Sequence, residues 1–202
     1  MTVGASLSII NHTITGDAPS YLEAMKVMQG GGTPAQFVPN RILTSSLGIE
    51  SVSLFTKIFG SVKVGWLALD ALLFFILSIV FYKLVLGIFG NRKTALLAGL
   101  FLVTNYAMVV FGLDYGMDIG GWTFYILSLY FTFKYVQSGE RKVLLYSALS
   151  IGVGGLFKEY ALLGVIPIAI MLAYENWPNP LSTIKKGIIP ALIALAPLSL
   201  VY

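Results

Sequence analysis

The feature that most constrains this chain is an apolar run of 32 residues, 143–174, broken only by the adjacent charges of Lys158 and Glu159. One helix of that length would reach about 48 Å, against a hydrocarbon core of about 30 Å. The run must therefore fold back, with Lys158-Glu159 at the tip of a hairpin of short helices. Four further apolar runs, 64–84, 94–113, 119–136 and 187–202, have roughly the reach of a membrane span. Composition agrees: 57% of residues are hydrophobic, 11% are charged and the mean hydropathy is +0.84, outside the usual range for a soluble domain.

The sequence thus predicts an all-α, polytopic transmembrane helical bundle. Residues 62–202 form the transmembrane domain, with about six membrane segments and an incomplete C-terminal edge. Residues 16–61 form a loop with amphipathic helices, and residues 1–15 are the stump of a truncated first span. Within the loop Pro19 suits a first helical turn, and Tyr21, Ala24, Met25 and Met28 then cover one face of a helix lying in the interface plane. A second weakly amphipathic stretch follows Arg41, and residues 52–59 make a third. With no cysteine, disulfides and thiolate metal sites are excluded, and the single His12 excludes a multi-histidine site.

Charge sets the orientation. Lys83, Arg92 and Lys93, then Lys134, Arg141 and Lys142, then Lys185 and Lys186 fall in alternate loops, which by the positive-inside rule face the cytoplasm. Asp17, Asp114, Asp118 and the Lys158-Glu159 tip then share the extracytoplasmic face. Lys142 and Lys185 require an even number of crossings between them, which the hairpin supplies. The net charge of +4 is spread over these loops, and nothing in it points to nucleic acid.

The order of features resembles the front half of GT-C membrane glycosyltransferases, which include protein mannosyltransferases and aminoarabinose transferases. It is carried by Gly16-Asp17 with Tyr21-Leu22, Phe37-Val38-Pro39-Asn40-Arg41-Ile42-Leu43, Phe89-Gly90-Asn91-Arg92-Lys93, Asp118 opening a span, and Gly155-Leu156-Phe157-Lys158-Glu159. The resemblance covers residues 15–175. It implies inverting transfer of a sugar from a polyprenyl-phosphate carrier in the lipid bilayer to a glycan, lipid or protein acceptor. The setting it implies is the plasma (inner) membrane of a bacterium or archaeon, with an extracytoplasmic active face. Asp17 matches the first-loop aspartate that acts as general base or positions the acceptor, and Asp118 matches the second-loop acid. Lys158 looks like the lysine near the carrier phosphate, and Arg41 corresponds to a basic residue of the first loop. The chain lacks a second acid beside Asp17, and Asp114 stands where many relatives carry arginine. Its missing outer spans suggest a fragment, an inactive remnant or one part of an assembly.

These residue types suit the chemistry. An acceptor hydroxyl loses its proton as it attacks, which a carboxylate can accept, and a phosphate leaving group needs cations rather than an acid. Asp17 and Asp118 are also candidate oxygen ligands for a divalent cation such as Mg²⁺ or Mn²⁺, and Asp114 and Glu159 are supporting candidates of the site. Simpler roles compete: Asp17 as a helix cap, Asp114 and Asp118 as an ordinary acidic loop, Lys158-Glu159 as a plain turn. Asp70 lies inside a span, where an acid is costly and a functional candidate by default. Its depth matches that of Asn105, so a hydrogen bond across the helix pair is expected. With the glycine-rich stretch 152–155, Asp70 also supports a competing reading as a secondary transporter or channel subunit. A non-catalytic membrane scaffold is the third.

Overall fold

The structure, a computed structural model, describes residues 17–30, 38–113, 115–177 and 179–200. Residues 1–15 and Asp114 lie outside them. The described residues are helical and contain no strand: α1 (Ala18–Met28), α2 (Val38–Phe59), α3 (Val62–Phe89), α4 (Arg92–Thr104), α5 (Tyr106–Gly112), α6 (Asp118–Ser138) and α7 (Arg141–Gly155). A 3-10 turn (Glu159–Gly164), α8 (Val165–Glu175), α9 (Pro180–Leu195) and a final short turn (Leu198–Leu200) complete them.

Local chemistry sets the ends. Gly90 (φ +64°) and Gly139 (φ +68°) close α3 and α6 in the left-handed region that glycine adopts at no steric cost. The Asn91 side chain accepts from the N–H groups of Lys93 and Thr94 to cap α4, and Asn179 caps α9 with Pro180 at its first position. The long apolar run breaks where its length requires, between Gly155 and Glu159.

Three boundaries differ from the sequence expectation. The span expected over 94–113 is divided at Asn105, whose backbone is extended (φ −64°, ψ 132°) and whose side chain accepts from the Ala107 N–H. Asparagine offers the backbone a local hydrogen bond that competes with the helix. The span expected from 187 begins instead at Pro180 and ends at Leu195. The two stretches expected after Arg41 and over 52–59 merge into α2, distorted at Ser45.

By length and composition, 39–59 within α2 and all of α3 are able to cross a membrane, and only 28% of each apolar window is buried within the protein. The exposed apolar side chains of α3, Phe75 among them, need an apolar environment, as do exposed Leu100, Phe101 and Ile170. Inside, α6 packs against α3 and α7 through buried hydroxyls. Thr123 Oγ1 donates to the Leu73 carbonyl of α3 at 3.1 Å and to Ile119 O at 2.7 Å, and Ser147 Oγ of α7 donates to Ser128 O of α6 at 2.8 Å. Thr132 and Ser147 share a further bond of 2.9 Å.

Because the chain has no cysteine, a single introduced one reports its own side. Cysteines at exposed Lys57 and Glu159 should react with an impermeant maleimide from one side of sealed vesicles, and cysteines at Lys93 and Ser138 from the other. Labelling of Glu159 and Ser138 from the same side would refute the antiparallel arrangement of α6 and α7.

Candidate active site at the hairpin tip

The tip of the hairpin settles onto the first turn of α6 because Gly120 and Gly121 leave room for it. A Cβ at Gly121 would stand 2.7 Å from Lys158 Cβ and 2.7 Å from the Tyr160 ring, and a Cβ at Gly120 would strike the Phe157 ring. Tyr160 Oη donates to the Asp118 backbone carbonyl, and its ring lies 6.5 Å from Trp122. Gly48 of α2 meets the same tip, its N–H donating to Leu156 O at 3.3 Å. The lysine is therefore placed by backbone approach on two sides.

At that point Lys158 Nζ lies 3.7 Å from Asp118 Oδ1 and donates to Tyr21 Oη at 3.1 Å. Arg41 Nη1 donates to the same hydroxyl at 3.3 Å, and Arg41 Nη2 lies 2.7 Å from Asp17 Oδ2. Both cations also stand over the Tyr21 ring, the guanidinium carbon 5.0 Å and the ammonium 5.8 Å from its centroid. Tyr21 is buried and packs edge-on to Trp66, which packs edge-on to Tyr115 and donates from Nε1 to Gly116 O. Tyr115 holds a positive φ of 54°, strained for a non-glycine residue, within this aromatic stack.

Exposure separates the roles of the charges. The Asp17 and Arg41 side chains are 58% and 27% exposed, so their pair adds under about 1 kcal/mol to stability and acts mainly to hold direction. The Lys158 side chain is 12% exposed. Burial is the largest influence on its pKa and favours the neutral amine. The Tyr21 contact and the charges of Asp118 and Glu159 outweigh it, so the pKa is raised above the ordinary 10.5. The group is an ammonium throughout the neutral range. Its contribution to stability is complete below 10.5 and fades only as pH climbs through the raised value. Burial, with the charge of Asp118 and the hydrogen bond to it, pushes the Tyr160 phenol far upward, which keeps it a neutral donor.

The structure thus brings together Asp17, Arg41, Asp118 and Lys158, four residues singled out in the sequence. Asp17 occupies the N-cap position of α1 without a side-chain cap bond, so the capping role is not the one it fills. Glu159 is exposed and acts on Lys158 through charge alone. Asp70 is buried on α3 at 1% exposure, whereas Asn105, its expected partner, is exposed and spends its side-chain oxygen on the α5 cap. Tyr21, Gly121 and Tyr160 were not anticipated in these roles. The Gly-Gly pair one residue pair beyond an acid at a span opening was the available signal for Gly121.

Asp17 and Asp118 each face a cationic side chain, and among the described residues no group of three acidic, histidine or cysteine side chains converges.

The all-helical architecture, with apolar helices able to cross a membrane, is that of a GT-C-like membrane fold. The chain belongs to the dolichyl-phosphate-mannose-protein mannosyltransferase family, whose match covers residues 51–202. That range includes Asp118 and Lys158 and begins after Asp17, Tyr21 and Arg41. No curated protein and no solved structure matches the chain.

Gly121→Val should lower thermal stability in detergent by about 1–3 kcal/mol through displacement of the tip. Gly99→Val, where a Cβ meets open space, should shift it by less than about 0.5 kcal/mol. Equal shifts would show that the Gly121 contact is not tight.

Proposed function

We propose that the chain transfers a sugar from a polyprenyl-phosphate carrier to an acceptor hydroxyl on the extracytoplasmic side, with inversion at the anomeric carbon. The observation that carries this reading is the Tyr21 hydroxyl accepting from both Arg41 and Lys158, with Asp17 and Asp118 at the two ends of the row. Two cations held at one oxygen suit a phosphate, and a carboxylate beside them suits a proton acceptor.

In the proposed step the acceptor oxygen attacks the anomeric carbon while the bond to the carrier phosphate breaks. The electron pair leaves with the phosphate, which gains charge as a monoester, and the acceptor proton passes to Asp17. Lys158 and Arg41 answer the developing charge, an effect that grows toward the transition state. Asp118 holds the lysine in place and Tyr21 fixes the spacing of the two cations. The family membership supports the reaction class, while the sugar, acceptor and face belong to the proposal.

The transporter alternative needs a midplane site at the glycines of 152–155. Those glycines are taken up by packing: a Cβ at Gly152 would meet Pro197 Cδ at 2.9 Å, one at Gly154 the Ala161 Cβ at 2.8 Å and one at Gly155 the Leu162 side chain at 2.8 Å.

Purified protein supplied with a radiolabelled polyprenyl-phosphate sugar decides the matter. Asp17→Asn should cut transfer about 10²–10⁴-fold with donor binding nearly intact. Lys158→Ala should weaken donor binding as well as turnover, and Asp70→Asn should retain transfer. Full activity in Asp17→Asn would remove the base from this mechanism.

A further inference from the structure

A second polar cavity lies at the other end of the bundle. It is lined by Tyr135 and Gly139 at the end of α6, Arg141 and Leu144 at the start of α7, and Ser182, Lys185 and Lys186 in the first turns of α9. α6 has 21 residues, so this cavity stands about 30 Å from Asp118. Its volume of about 430 Å³ falls within the range of small-molecule sites. Nothing in the proposed transfer reaction uses it.

Its chemistry is strongly one-sided. Buried Tyr135 and Leu144 make the base and three cations make the rim. Two acids stand beside it: Glu140, which pairs with Lys142 outside the lining at 2.8 Å, and Glu175, whose Oε2 accepts from Tyr135 Oη at 3.2 Å and lies 4.0 Å from Lys186 Nζ. Glu175 therefore answers one charge of the three. Among the described residues neither Arg141 nor Lys185 has an ion-pair partner. A guanidinium and two ammonium groups around one hollow are the donors that a phosphate ester takes.

The position favours a lipid over a dissolved phosphate. The cavity opens where apolar helices give way to polar turns, and Tyr174 and Trp177 nearby in the chain are each 85% exposed, as aromatic residues at a membrane–water boundary are. Basic pockets between helices at that depth suit anionic headgroups. We propose that this cavity binds the phosphate-bearing headgroup of an anionic membrane lipid, apart from the carrier lipid at the hairpin tip. A general excess of positive charge on this end would attract such lipids weakly and without a site. Arg92, Lys93 and Lys134 supply the charge-matched control, since all three lie at this end outside the cavity lining and none has an acidic partner among the described residues.

The test places the chain in nanodiscs of phosphatidylcholine doped with phosphatidylglycerol and counts the lipids retained on release, by native mass spectrometry. The unmodified chain should retain phosphatidylglycerol in preference to phosphatidylcholine. The triple variant Arg141→Gln, Lys185→Gln, Lys186→Gln should lose about tenfold or more of that preference. The control variant Arg92→Gln, Lys93→Gln, Lys134→Gln should keep it within about twofold. Equal losses in both variants would overturn the site in favour of diffuse charge. Absence of any preference in the unmodified chain would overturn it with no variant needed. Displacement of the retained lipid by millimolar inorganic phosphate would overturn the lipid assignment.

Discussion

The contact between the Lys158 ammonium and the Tyr21 hydroxyl joins residues 137 apart in sequence, and the rest of the site is arranged around it. An ammonium among apolar helices is costly unless hydrogen-bonded and paired. α1 brings the hydroxyl, α6 brings the Asp118 carboxylate, and the absence of a side chain at Gly121 lets the tip reach both. Asp17 and Arg41 then attach at the exposed end, where an ion pair adds little stability and much direction. The same row of groups is nearly dry at one end and wet at the other. That gradient suits the proposed reaction, with a lipid-linked donor on the dry side and an acceptor hydroxyl on the wet one.

The hydroxyls between α3, α6 and α7 serve that arrangement from within. Each such bond contributes only about 0.6 kcal/mol in a membrane. Their value is in register. Thr123 on Leu73 and Ser147 on Ser128 each mark one registered contact, and sliding α3 or α7 along α6 would lose that contact. Register is what places Phe157 over Gly120 and Lys158 over Gly121.

Much of this was legible in the sequence because membrane geometry leaves few choices. A run of 32 apolar residues had to turn at its two charges, and the alternating basic loops put the acids on one end. The buried Tyr21, Ala24 and Met25 of α1 follow the predicted face, with Met28 half-buried and Ala18 added to it. What escaped was polar detail carried by residues that read as apolar or neutral. Tyr21 was counted by its ring, yet its hydroxyl joins the two cations, because tyrosine has an apolar body and a polar tip. Gly120 and Gly121 gave no hydropathy signal, since their role depends on a partner nearly forty residues away. Asn105 breaks a run through a single side-chain oxygen, a local effect that window averages pass over.

One dimension of the hairpin bears on the membrane itself. α7 has 15 residues and so rises about 22 Å, several ångströms short of a hydrocarbon core of about 30 Å. Such a hydrophobic mismatch is relieved by local thinning of the bilayer or by a recessed polar tip. With thinning, the leaflet dips beside Lys158. A lipid phosphate would meet the ammonium at its own depth, without its chain having to be drawn up out of the leaflet.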